Sequence, residues 1–180
     1  MTAILLAGLV LGVAGCGSED NSPKDRASAR PETPRSTAEG NGPQTEEPTE
    51  TLAVLKGQEG LELVIQSAKR DGGGFMTVTG RIVNTSDATR VIPAQVAGDE
   101  VEIVKHGSSL GGATLVDSVE KKRYYVLRDT DGRPLTTSGI SSLGVGRSTS
   151  VFLQFPAPPA TTTEVTFQLP TFRTGTIKLS

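Results

Sequence analysis

An antiparallel all-β fold, two sheets packed as a sandwich, is predicted for residues 53–180. Three observations carry the prediction. Apolar residues there recur with a period of two, Gly, Pro, Asn or Asp closes each run, and no amphipathic helical pattern reaches ten residues. The runs are short and rich in β-branched and aromatic types, which suits pleated, half-buried strands.

The runs follow in order. Leu61, Leu63 and Ile65 alternate with Glu62, Val64 and Gln66. After the turn Asp71–Gly74, Met76, Val78 and Ile82 alternate with Thr77, Thr79 and Arg81. Val101 and Ile103 share a face between Glu100, Glu102 and Val104, which predicts another strand. Tyr124 and Val126 oppose Arg123, Tyr125 and Leu127, while Val151, Leu153 and Phe155 form one face, as do Val165, Phe167 and Leu169. The Pro-Ala-Pro-Pro-Ala run from Pro156 to Ala160 reads as a stiff spacer between strands.

Residues 17–52 have a different composition. They hold five of the eleven prolines, four basic against eight acidic residues, no aromatic residue, and Leu52 as the one large apolar side chain. Such a segment buries too little apolar surface to offset the entropy of ordering, so a disordered Pro/Ser/Thr/Glu-rich tether is expected over residues 16–52. The whole chain has a formal charge of −2, which argues against nucleic acid as a partner.

The lone cysteine closes an apolar N-terminal run, Ala3–Gly15, of thirteen residues. As a helix this run measures about 20 Å, short of a hydrocarbon core of about 30 Å. A signal-peptide core fits better than a membrane span. Small residues at Ala14 and Gly15 admit a peptidase, and Val13 suits an apolar subsite; ordinary signal peptidase, with Cys16 a bystander, also accepts this pattern. Val13-Ala14-Gly15-Cys16 resembles the lipobox of bacterial lipoproteins at all four positions. The resemblance implies a signal peptide over residues 1–15, cleavage between Gly15 and Cys16, and diacylglycerol on the Cys16 thiol. It also implies an extracytoplasmic protein held to the cell membrane by lipid. No Lys or Arg precedes the apolar run, so the translated start is expected upstream of Met1.

A second resemblance covers most of residues 60–170. The stretch TVTGRIVNTSD (Thr77–Asp87) looks like the early strands of immunoglobulin-like modules in bacterial envelope lipoproteins. Ala113–Leu135 and Ser150–Pro170 are similar to actinobacterial members of that group. The likeness implies an immunoglobulin-like sandwich and an envelope location, and it brings no catalytic residues with it.

The chemistry-bearing residue types are sparse. His106 is the one histidine, so a zinc site or a Cys-His pair lacks its ligands or partner. Asp129, Asp131 and Gly132 resemble a fragment of a calcium loop, but Arg133 and Pro134 follow where further oxygen ligands belong. A tight turn is the expectation there. Gly72–Gly74 opens no helix with phosphate-binding spacing, and Asn84-Thr85-Ser86 fits a glycosylation acceptor of little consequence in a bacterial lipoprotein. No cofactor and no metal are expected.

Lys121, Lys122 and Arg123, with Arg128 and Arg133 beyond, are candidate contacts to an anionic surface if a turn gathers them. Lys and Arg also protect an exposed strand edge. Two function classes stand. One is a lipid-anchored, non-catalytic module that binds an envelope protein or polymer; the other is an exported hydrolase with a site assembled from dispersed Ser, Asp and Lys.

Overall fold

The computed structural model describes residues 50–180. Ten strands follow one another: β1 (Ala53–Lys56), β2 (Leu61–Arg70), β3 (Phe75–Asn84), β4 (Arg90–Val91), β5 (Thr114–Asp117), β6 (Lys122–Tyr125), β7 (Ser142–Leu143), β8 (Ser148–Pro156), β9 (Glu164–Gln168) and β10 (Gly175–Lys178). All pairings are antiparallel, and they build sheets of order β1-β2-β3-β8 and β10-β9-β5-β6, with β4 and β7 as a separate ribbon. The all-β prediction holds for these residues.

Side-chain parity explains the first sheet. Leu61, Leu63 and Ile65 of β2 are buried, and so is Ala68, which stands on the opposite parity. The change of phase is absorbed by a bulge between Ile65 and Ser67, where one extra residue enters the strand. Without it, the second half of β2 would turn its apolar side chains outward. On β3, Gly80 faces the bulge, and a Cβ there would lie 2.2 Å from the Val64 carbonyl oxygen. Only glycine admits that approach.

The hairpin between β2 and β3 turns where Asp71 accepts the backbone N–H of Gly73 at 2.9 Å and of Phe75 at 3.0 Å. Gly74 takes φ of 82°, a conformation that glycine adopts without a Cβ penalty.

Met76, Val78 and Ile82 of β3 meet Val151, Leu153 and Phe155 of β8 in one core with Leu115, Val165, Phe167 and Ile177 of the other sheet. Phe155 and Phe167 join the two sheets edge to face, with ring centroids 6.4 Å apart at 85°, a favoured aromatic geometry. Between β8 and β9 the proline-rich connection is held by the Arg70 guanidinium, which donates to the carbonyls of Pro158 (3.2 Å), Pro159 (3.0 Å) and Thr162.

One predicted strand is a helix. Val101–Val104 forms a single turn, α1, closed by Val104 N–H to the Glu100 carbonyl at 3.0 Å and Lys105 N–H to the Val101 carbonyl at 3.0 Å. Of its apolar residues only Ile103 is buried, while Val101 is 75% exposed. The alternation there had no partner strand to make use of it. Local i→i+4 bonds and the Glu102–Lys105 ion pair won instead.

Candidate functional site

The β5–β6 hairpin gathers three of the five basic residues singled out in the sequence. Its turn is built by Asp117, which ends β5 and is completely buried. The carboxylate accepts the hydroxyl of Thr162 at 2.6 Å and the backbone N–H groups of Val119 (2.9 Å) and Glu120 (3.0 Å). The Thr162 bond, followed by the Glu120 N–H, holds this carboxyl below the usual aspartate range against the opposing effect of burial. Lys121 closes the turn with φ of 54°. Lys122 and Arg123 then lie exposed on β6, in register with Asp117 and Val116.

Next in β6, Tyr124 points to the core. Its hydroxyl is buried and has no hydrogen-bond partner among the described residues. Burial, then the charges of Asp117 and Glu120, push the phenol above its ordinary pKa. Tyr125 is 56% exposed on the other face.

Arg128 and Arg133 are each held by counter-charges of their own. Arg128 pairs with Glu100. Arg133 pairs with Asp131 at 2.8 Å and with Asp129 at 3.4 Å. The Asp129 carboxylate is itself committed to its turn, accepting the N–H of Asp131 (2.9 Å) and Arg133 (2.8 Å). These bonds, led by the Arg133 N–H, lower its pKa. The calcium-like fragment is thus a turn whose carboxylates are engaged by its own backbone and by an arginine.

His106 lines a hollow of about 260 Å³ together with Ser109, Arg133, Leu135, Ser138 and Phe152. This is smaller than the roughly 300–1,000 Å³ usual for small-molecule pockets. The His106 Nε2 lies 3.1 Å from the Asp131 carbonyl, and the nearly buried Ser109 hydroxyl accepts the Gly111 N–H at 3.3 Å. His106 ties its loop to the Asp131 turn, and Ser109 braces its own loop. A second hollow of about 420 Å³ opens beside the β2 bulge, with Ser67, Lys69 and Lys178 on its walls. Among the described residues, no group of three or more His, Cys, Asp or Glu side chains is placed to hold a metal, and no helix is long and apolar enough to cross a membrane.

Asn84, read from sequence as a glycosylation acceptor, is completely buried. Its Nδ2 donates to the carbonyls of Ala88 (2.7 Å), Leu143 (2.9 Å) and Gly144 (3.1 Å). Its Oδ1 accepts the Ser86 N–H at 3.0 Å and hydroxyl at 2.7 Å. It clamps the end of β3 to the β7–β8 turn and offers no accessible amide. An Asn that ends a strand and precedes Thr-Ser is a candidate for an Asx turn, which was the available signal.

Gly15, Cys16 and the rest of residues 1–49 lie outside the described residues. No protein-family model, no curated protein and no solved structure matches the chain.

Proposed function

We propose that this chain is an extracytoplasmic lipoprotein of the bacterial, and by resemblance actinobacterial, envelope. Diacylglycerol on Cys16 holds it to the membrane, after cleavage between Gly15 and Cys16 removes residues 1–15. The observation that carries the reading is the four-residue match Val13-Ala14-Gly15-Cys16 at the end of a short apolar run. Residues 16–52 are its tether, and the domain over residues 53–180 is an immunoglobulin-like module that binds an envelope protein or polymer.

Strand order supports the module. Immunoglobulin-type sandwiches place strands A, B and E in one sheet and C, F and G in the other, and variable-type domains add C′ beside C. The order β2-β3-β8 reproduces A-B-E, and β10-β9-β5-β6 reproduces G-F-C-C′. The departure is at D, whose place beside β8 is taken by the segment around Leu135, bonded through Gln154. A binding role, rather than hydrolysis, is supported by the engagement of Asp129, His106 and Ser109 in loop scaffolding.

Replacement of Cys16 by Ser tests the anchor. The processed variant is expected in the medium, or an unprocessed precursor accumulates. A single acyl chain gives marginal binding and two give stable binding, at about 0.8 kcal/mol per buried CH₂. A processed Cys16→Ser protein that stays in the membrane fraction would overturn the proposal.

A further inference from the structure

Strand β6 is the outer strand of its sheet. Alternate residues of an antiparallel strand aim N–H and C=O to opposite sides, so half of the β6 peptide groups face away from β5. Among the described residues, Lys122–Tyr125 make no backbone hydrogen bond beyond the β5–β6 ladder. The outer strand β8 differs: its Gln154 receives the N–H of Leu127 at 2.8 Å and donates to the Leu135 carbonyl at 3.0 Å. At β1, Lys56 accepts the Arg173 N–H at 2.8 Å.

The basic side chains at this edge make no ion pair among the described residues. Every ion pair among the described residues uses Arg90, Lys105, Arg128 or Arg133, and none uses Lys121, Lys122 or Arg123. The nearest carboxylate in register, Asp117, is turned inward to Thr162. Exposed apolar groups flank the basic run, Val119 at 84% and Tyr125 at 56%. Unbonded peptide groups, the exposed Tyr125 and the cations Lys122 and Arg123, which make no ion pair among the described residues, therefore share one edge, with Lys121 and Val119 on the adjoining turn.

We propose that β6 binds an extended acidic polypeptide segment of a partner protein, which adds as a further strand beside Lys122–Tyr125. This rests on the reading of the domain as a binding module and names its partner class. Strand addition takes affinity from backbone bonds and specificity from alternate side chains. Acidic residues of the incoming strand meet Lys122 and Arg123, and its apolar residues meet Tyr125. A second copy of this chain is disfavoured, because edge-to-edge pairing crowds the cations of one copy's β6 beside those of the other. An anionic lipid surface would use the charges and leave the peptide groups unpaired.

The test uses the full chain carrying Cys16→Ser, which takes the anchor out of the measurement, so its failure is distinct from failure of the anchoring reading. The probe is a short acetylated peptide containing Val-Val-Glu-Glu, which in antiparallel pairing sets Val opposite Tyr125 and Tyr124 and Glu opposite Arg123 and Lys122. Binding is expected to slow hydrogen exchange at β6. Replacing Lys122 and Arg123 with Gln weakens it about tenfold, the sum of two exposed charge pairs. Methylation of alternate peptide nitrogens keeps the probe's charge and abolishes binding. Equal binding of the methylated peptide would overturn strand addition. So would an absence of peptide binding, with or without perturbation of β6 by phosphatidylglycerol vesicles.

Discussion

Replacing Asn84 by Asp changes one atom and reverses the electrostatics of a buried site. In the native protein the amide nitrogen faces three carbonyl oxygens, those of Ala88, Leu143 and Gly144. In Asn84→Asp a carboxylate oxygen stands there, and with the side chain completely buried no water relieves the repulsion. The carboxyl must take up a proton to donate to any of them, so its folded pKa rises above the unfolded value of about 3.9. A raised folded pKa on an acid sets the sign. The variant's deficit against the native protein is smallest near pH 4 and grows as pH rises to the new folded value. Asn84→Ala bounds the magnitude. It removes the partner of the buried Leu143 carbonyl, at a cost of about 1–3 kcal/mol, and of several half-buried bonds at about 0.5–1.5 kcal/mol each. With four such bonds the total is about 3–9 kcal/mol, a large part of the roughly 5–15 kcal/mol that stabilises a domain. Urea unfolding followed by far-ultraviolet circular dichroism is the assay, since the chain has no tryptophan. Asn84→Asp equal to the native protein at pH 7, or a deficit independent of pH, would refute the clamp.

Other outcomes follow from single positions. Leu169–Phe172 forms a turn with Pro170 second and Thr171 third at φ of 72°, where a β-branched residue is strained; Thr171→Gly should gain about 1 kcal/mol, and a lower melting temperature would contradict this. Gly80→Ala should lose about 1–3 kcal/mol through overpacking, because the atom it meets is the Val64 backbone carbonyl; an unchanged urea midpoint would show that the bulge yields freely. Asp117 has a depressed folded pKa, so its contribution is present above the unfolded value of about 3.9 and is lost as pH falls through the folded value. Asp117→Asn should therefore flatten the acid limb of the stability curve below about pH 4, and a limb of unchanged slope would assign that limb to other groups.

The long strands were legible because one face of each is wet. β3, β8 and β9 alternate, and their buried residues are those that the period of two picks out, while in β2 Val64 is buried as well and the bulge moves Ala68 to the other parity. β5 was harder, since Thr114, Leu115 and Asp117 are all buried and the alternation disappears. Over Val101–Val104 the pattern misled, because alternation predicts a strand only where another strand is available to pair. The hairpin charges were legible as a group at Lys121–Arg123. The neutralisation of Arg133 was within local reach at Asp131, whereas the Arg128–Glu100 pair spans 28 positions and left no local trace. The clamp at Asn84 joins residues some 60 positions apart, so only its Asx turn was open to reading.

The central claim is that the mature protein begins at a lipidated Cys16. Mass spectrometry of its N-terminal peptide, purified from the membrane fraction of the native host, tests this most directly. The account predicts a peptide whose first residue is Cys16, with diacylglycerol in thioether linkage to its sulfur. A peptide that retains the Gly15–Cys16 bond, or one that carries Cys16 as a free thiol, would contradict it.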